Sequence, residues 1–154
     1  MTDYIWEWPE VGHDKAIDFL DRAGRNDKIA QTYIFSGRDE LGKTAIALAF
    51  AKNLQSGRSG FDSDLLILER EPDKKSISIL QAREFIKRLR LSSFLDSYKI
   101  GIIKSAELLS EEAKSALLKT LEEPQEQVVI ILLVNDDRDL PATILSRAQV
   151  LHFP

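Results

Sequence analysis

The segment Gly37-Arg-Asp-Glu-Leu-Gly-Lys-Thr44 decides the fold of this 154-residue chain. It matches the pattern G-x-x-x-x-G-K-[ST] at every position. An apolar run that predicts a strand, Thr32 to Ser36, precedes it, and an alanine- and leucine-rich run that predicts a helix, Lys43 to Leu54, follows it. A strand, a glycine-containing loop and a helix in this order indicate a phosphate-binding loop.

Four residues of this loop are candidates for nucleotide binding. Glycines at positions 37 and 42 let the backbone turn so that its N–H groups point at phosphate oxygens, and the dipole of the next helix favours the same anion. We expect Lys43 to reach the β and γ phosphates and Thr44 to ligate magnesium. The alternative is a glycine-rich turn that binds nothing.

Outward from the loop, short apolar strands alternate with helical patterns. Helices are predicted over His13–Ala23 (with Gly24 and Asn26 ending it), Lys43–Leu54, Ser78–Leu91 and from Ser110 to the stop at Pro124, and strands over Thr32–Ser36, Asp64–Glu69, Tyr98–Ile103, Val128–Val134 and Ala148–Phe153. This alternation predicts an α/β fold with a five-stranded parallel sheet that carries helices on both faces. Ligands of such sheets bind at the carboxyl ends of the strands.

Composition and charge exclude several classes of protein. Hydrophobic residues make up 44% of the chain and charged residues 30%, which is ordinary for a soluble domain with a sizeable core. A net charge of −4 argues against a freestanding nucleic-acid binder. The chain has no cysteine, so we expect a cytoplasmic protein without disulfides or a cysteine-based zinc site. The longest apolar stretch, Val128–Val134, is too short to span a membrane.

The expected metal site has the wrong charge. A phosphate-loop ATPase needs an acid at the end of a neighbouring strand to hold magnesium, but Lys104 and Ser105 follow the third predicted strand. Two unit charges about 4 Å apart repel by about 4 kcal/mol at an effective dielectric constant of about 20, and a divalent ion doubles this. We therefore expect magnesium to bind poorly. Lys104 either contacts phosphate directly or points to solvent, and Glu107 is the remaining candidate acid.

Five segments together resemble the bacterial DNA polymerase III clamp-loader subunits, the gamma/tau and delta-prime proteins. The segments with this resemblance are Val11–His13, Ile29–Gly37, Tyr98–Ile103, Ala116–Pro124 and Leu140–Arg147. The resemblance covers nearly the whole chain. It implies that residues 1–154 form an AAA+ P-loop NTPase core that belongs to a ring-shaped pentamer, which opens a sliding clamp onto primed DNA.

The resemblance also implies roles for single residues and partners. Ser146 and Arg147 match the family motif that supplies an arginine finger in trans to a neighbouring subunit, with Ala148 in place of cysteine, and Asn135 is similar in place to the sensor residue. The implied partners are gamma/tau and delta subunits, the clamp and, through the assembled complex, primed DNA. The implied cofactor is ATP or ADP.

The chain departs from the family pattern in three ways, and the first of them, the loss of the acids, favours a delta-prime type of subunit. Lys104 and Ser105 replace the acidic pair, the cysteine-rich zinc module is missing between Gln55 and Ser63, and the lid and collar domains do not follow the fifth strand. The chain is thus either a fragment or a truncated relative. The prediction is a brace that supplies Arg147, binds nucleotide weakly or not at all, and hydrolyses no ATP itself.

Two alternatives remain at this stage. One is an active gamma/tau-type motor, which needs an acid such as Glu107, and the other is a generic AAA+ regulatory or DNA-repair ATPase. A basic stripe at Arg83, Lys87 and Arg90 is either a DNA contact or a solvated helix face. Trp6 and Trp8 anchor the N-terminal arm on the core or on a partner.

Overall fold

The computed structural model describes residues 5–38, 42–55, 64–91 and 98–154. Helices and strands alternate through these ranges as the sequence predicts, and a short helix that was not predicted, α5 (Ala142–Leu145), lies between the last two strands. Their bounds are α1 Asp14–Arg25, β1 Thr32–Ser36, α2 Lys43–Leu54, β2 Leu65–Leu68, α3 Ile79–Leu89, β3 Lys99–Ile103, α4 Glu111–Glu122, β4 Val128–Val134, α5 Ala142–Leu145 and β5 Gln149–His152. The predicted bounds differ from these by at most two residues at any helix or strand end.

The five strands form one parallel sheet in the order β2-β3-β4-β1-β5. The predicted five-stranded parallel sheet is confirmed. β4 lies at the centre, with Ile131 in register with Ile102 of β3 and Leu132 in register with Ile34 of β1. Because β4 is buried on both faces, its sequence is a continuous apolar run without polar alternation.

Each face of the sheet has its own apolar core. Helices α1 and α2 cover one face, where Leu20 and Phe50 pack on Ile131 of β4 and its neighbours. Helices α3, α4 and α5 cover the other, where Phe85 and Leu117 pack around Leu132. The side chains of β4 alternate between the two cores, as the two-residue period of a strand requires. The arrangement leaves the carboxyl ends of the strands uncovered by these helices.

Hydroxyl caps fix the starts of two helices. The Ser78 side chain accepts from the Gln81 N–H at 3.1 Å, and the Gln81 side chain accepts from the Ser78 N–H at 3.2 Å, which completes a capping box at α3. The Ser110 side chain accepts from the Ala113 N–H at 3.1 Å at the start of α4. The predicted Ser110 cap is confirmed, and Glu111 occupies the first turn, where the helix dipole favours an acid.

Of the two residues predicted to end α1, Asn26 is confirmed as its C-cap, whereas Gly24 is wrong because the helix continues to Arg25. A side chain at position 24 would place its Cβ 2.1 Å from the Trp6 ring, so the glycine provides room for that ring. Trp6 and Trp8 pack against Phe50 of α2 with ring centroids 6.0 and 6.3 Å away. The two tryptophans therefore anchor the N-terminal arm on the core, which is one of the two arrangements predicted for them.

A second close approach makes Gly101 of β3 sensitive to substitution. A Cβ there would lie 2.6 Å from Cζ of Phe85 and 3.0 Å from Leu89. We expect Gly101→Ala to lower the free energy of unfolding by about 1–3 kcal/mol, because added volume in a packed core forces neighbours out of place. Urea unfolding measures this change. Phe85→Leu removes the contacting atom, so the double variant should lose less than the sum of the single losses. Additive losses would show that the Phe85 contact is irrelevant.

Candidate nucleotide-binding site

A cavity of about 110 Å³ lies at the carboxyl ends of the strands, beside the start of α2. Its lining residues come from the phosphate loop, the end of β3 and the end of β4. They are Lys43, Thr44, Lys104, Ser105, Leu133 and Asn135. Five of these six were selected from sequence for separate reasons, and the parallel topology places them around one cavity. Residues 39–41 of the predicted loop lie outside the described residues.

Two glycines shape the backbone next to this cavity. Gly42 has φ 90° and caps α2, a left-handed conformation that favours glycine. A Cβ there would also lie 3.0 Å from the Val11 side chain. A Cβ on Gly37 would lie 2.4 Å from the Phe153 carbonyl oxygen, so this glycine permits the close approach of the chain after β5. Gly37 shapes the loop entrance and does not line the cavity itself.

The Lys43 ammonium is held by backbone carbonyls. Its Nζ donates to the Val134 carbonyl at 2.8 Å and to the Gly37 carbonyl, and the residue is 5% exposed. A buried lysine needs such partners because an unpaired buried charge is costly. These carbonyls belong to the last residue of β4 and to the residue that follows β1, so the Lys43 ammonium is held at the carboxyl ends of these two strands.

The acidic position of the family holds a cation at the cavity wall. Lys104 Nζ lies 3.7 Å from Oε2 of Glu69, and its side chain is 34% exposed. Ser105 adopts the left-handed conformation with φ 51°. Among the described residues that line the cavity, two are lysines and none carries a carboxylate. This donor set does not fit magnesium, which is usually held through carboxylates together with substrate phosphates.

Glu107 lies in a 3₁₀ turn, Ala106–Leu108, and does not line the cavity. One of its carboxylate oxygens is buried without a hydrogen-bond partner. Over the ranges 5–38, 42–55, 64–91 and 98–154, no group of three His, Cys, Asp or Glu side chains is placed to hold a metal ion. The remaining candidate acid is thus not at the wall where a nucleotide-bound metal would need it.

The loop after β4 is tied to β1. The Ser36 hydroxyl donates to Asp137 at 2.8 Å and accepts from the Asp137 N–H at 3.0 Å. Hydrogen bonds from Arg138 hold the pKa of Asp136 well below its ordinary value, at about 2. These contacts fix the segment that follows Asn135, which is exposed and lines the cavity. The structure therefore places the predicted sensor residue at the cavity rim.

Arg147 lies apart from the cavity, just after α5. Its Nη1 donates to the Thr143 carbonyl at 2.9 Å, and its Nη2 lies 3.7 Å from Oε1 of Glu122. The side chain is 39% exposed. Arg147 therefore does not line its own subunit's cavity and is partly accessible to solvent.

The predicted basic stripe is exposed. Arg83 and Lys87 lie on the outer face of α3, and Arg90 is the residue at which that helix ends. A DNA contact along it stays a prediction.

None of the helices in the described ranges combines the length and apolar character needed to cross a membrane.

Sequence reasoning missed three residues near the predicted sites. Glu69 pairs with Lys104, Glu122 faces Arg147, and the Val11 side chain occupies the space where a Cβ on Gly42 would stand. Each pairing joins segments far apart in sequence, so a local pattern offers no sign of it, although Val11 belongs to a segment already noted for its family resemblance.

Several known proteins resemble this chain. It is 30% identical to DNA polymerase III subunit tau/gamma of Haemophilus influenzae over 160 residues, which cover 93% of this chain and 23% of that protein. It is 27% identical to subunit delta' of Bacillus subtilis over 164 residues, which cover 95% of this chain and 49% of that protein. The chain thus spans between about a quarter and about half of these relatives.

Solved structures share the fold. A DNA polymerase III gamma subunit-related protein of Thermotoga maritima has a TM-score of 0.72 and 26% identity, covering 88% of this chain and 45% of that one. The Holliday junction branch migration motor RuvB of Thermotoga maritima has a TM-score of 0.67 at 15% identity, covering 92% and 45%, which shows a common fold alone. The fold is therefore the AAA+ type of P-loop NTPase core.

The family model described as DNA polymerase III, delta subunit, matches residues 12–154. The match includes the whole sheet, the cavity and Arg147. With its AAA+ core and its similarity to tau/gamma and delta' subunits, the chain belongs to the DNA polymerase III, delta subunit, family of clamp-loader proteins.

Proposed function

We propose that this chain is a delta-prime-like subunit of the clamp loader that places a sliding clamp on primed DNA during replication. It braces the loader ring in the cytoplasm, beside gamma/tau and delta subunits, and supplies Arg147 to the ATP of a neighbour. Its own cavity holds ATP or ADP without hydrolysing it. The sequence has no cysteine, so the proposal includes no cysteine-based zinc site.

The charge at the cavity wall carries this proposal. Lys104 and Ser105 occupy the end of β3, where a hydrolysing P-loop protein holds magnesium with a carboxylate. Hydrolysis depends on that ion to neutralise charge on the transferred phosphate. A cavity that offers lysines in its place supports nucleotide binding without turnover.

The position of Arg147 supports the role in assembly. The guanidinium contacts Thr143 and Glu122 at the surface. Arg147 is not among the residues that line the cavity of its own subunit. Its planar donors suit a phosphate group of another subunit.

The alternative is an active motor of the gamma/tau type. The 30% identity to a tau/gamma subunit favours it, and it requires Glu107 or another acid to reach the nucleotide. A generic AAA+ DNA-repair ATPase has less support, because the similarity to RuvB is confined to the fold.

Reconstitution separates the brace from the motor. The full-length protein is assembled with gamma/tau and delta subunits, and phosphate release is measured with clamp and primed DNA present. We expect Lys43→Ala to leave turnover by the assembled loader within about twofold of the parent, because this subunit's site does not contribute to it. Lys52→Ala, which changes an exposed lysine on the same helix, is the matched control. Turnover abolished by Lys43→Ala alone would identify a motor.

A further inference from the structure

The cavity at the carboxyl ends of β1, β3 and β4 holds two cationic side chains and the hydroxyls of Thr44 and Ser105. We propose that this cavity binds the diphosphate of a nucleotide without a divalent metal ion, with the Lys104 ammonium in the place of the ion. The inference deepens the proposed function, from which it takes only the identity of the ligand as a nucleotide.

The two lysines reach the cavity from different sides. Lys43 begins α2 and is buried against the carbonyl of Val134, whereas Lys104 follows β3. Strand β4 lies between β3 and β1 in the sheet, so the two cations flank the end of that central strand. A phosphate group between them would contact a cation on each side. This is the charge arrangement that a P-loop lysine and a magnesium ion provide together in a hydrolysing site.

The neutral lining groups suit phosphate better than magnesium. Thr44 and Ser105 offer hydroxyls and Asn135 an amide, all of which can donate hydrogen bonds to phosphate oxygens. Magnesium requires nearly octahedral oxygen coordination and is usually held through at least one carboxylate. A metal ion entering with the nucleotide would also approach the Lys104 cation, and like charges repel most strongly at short distance.

The ion pair that holds Lys104 is weak enough to be exchanged. Its Nζ lies 3.7 Å from Glu69, which is too long for a hydrogen bond, and the carboxylate side chain is 61% exposed. Exposed pairs of this kind contribute little. The Lys104 backbone is fixed meanwhile, since its N–H donates to the Leu68 carbonyl at 2.9 Å. A nucleotide diphosphate carries more negative charge than Glu69, so it can draw the ammonium into the cavity without movement of the strand.

Calorimetric titration of the purified chain with ADP, in EDTA and in excess magnesium, tests the proposal. We expect ADP to bind in EDTA at least as tightly as in magnesium, because the metal masks the charge that Lys104 recognises. Lys104→Ala should weaken binding in EDTA by about tenfold, the effect of losing a charge-assisted contact. Lys119→Ala, at an exposed position of α4, is the matched control and should change nothing. Titration with pyrophosphate shows whether the diphosphate alone is sufficient.

The reversed charge gives the sharper result. Lys104→Asp restores a carboxylate at the end of β3, so binding of ADP should fall in EDTA and recover when magnesium is added. Circular dichroism shows whether Lys104→Asp folds. If it does not, Lys104→Gln, which keeps a side chain of similar length without the charge, replaces it in the titration. Binding of ADP by the parent chain that requires magnesium, equal binding by the parent chain and Lys104→Ala, or no binding in EDTA would each overturn the proposal.

The test of metal-free binding and the test of the proposed function can fail independently of each other. Titration concerns this chain alone, whereas the role in the loader is measured by assembly and by the effect of Arg147. A chain that binds ADP in EDTA but is not accepted by the loader subunits leaves the metal-free site standing and removes the clamp-loader proposal. A chain that assembles but needs magnesium for ADP does the reverse.

Discussion

Arg147→Ala is expected to lower ATP turnover at the neighbouring subunit's site by about a thousandfold or more. Arginine fingers contribute about 10³ to 10⁵ in rate, because the guanidinium stabilises charge that develops on the transferred phosphate. The measurement is single-turnover phosphate release by the reconstituted loader with clamp and primed DNA. The rate of the site that receives Arg147 should collapse, while the other sites continue.

Two controls make this result specific. Arg25→Ala removes another exposed arginine that pairs with a carboxylate, Asp21 at 2.7 Å, and should leave the rate unchanged. Arg147→Lys keeps the charge without the planar pair of donors, so it should recover only a small part of the lost rate. Size-exclusion chromatography verifies that each variant still enters the loader. An unchanged rate in an intact Arg147→Ala complex would remove Arg147 from the mechanism.

The contacts of Arg147 explain why Arg147→Ala should leave the fold intact. The side chain is partly exposed, and its ion pair with Glu122 is 3.7 Å long. Exposed ion pairs contribute about 0–1 kcal/mol. Loss of the side chain therefore leaves α5 and β5 in place, and a lost rate can be attributed to the missing guanidinium.

Most of the fold could be predicted because its pattern is local. The phosphate-loop motif locates β1 and α2, and the uninterrupted apolar run of β4 indicates a strand buried on both faces. Parallel strands end at one edge of the sheet, so residues after β3 and β4 had to lie near the loop. That is why Lys104 and Asn135 meet Lys43 at one cavity although they were selected separately.

The errors and omissions concern contacts between distant segments. Gly24 looked like a helix end because glycine weakens helices, but here it makes room for the Trp6 ring. Glu69 and Glu122 each pair with a basic residue from another element. Tertiary packing determines the role of Gly24 and the pairings of Glu69 and Glu122. The periodicity of a single helix or strand does not indicate which distant residue will pack against it.

Phe50→Ala is expected to lower the free energy of unfolding of this chain by about 3–5 kcal/mol, since it removes a buried aromatic side chain and leaves a cavity. Phe50 is fully buried on α2, with its ring centroid 5.2 Å from Tyr33. The ring also supports both tryptophans of the N-terminal arm. Urea unfolding followed by circular dichroism gives the free energy, and tryptophan fluorescence reports the arm.

The matched control is Phe19→Ala on α1, whose side chain is 38% exposed. Because less of its surface is withdrawn from water, its loss should be clearly smaller. The arm that packs on Phe50 also carries Val11, whose side chain occupies the space where a Cβ on Gly42 would stand, so a loosened arm should weaken ADP binding along with stability. Equal losses for Phe19→Ala and Phe50→Ala would mean that the aromatic cluster is not what holds α2, and the phosphate loop at its start, against the sheet.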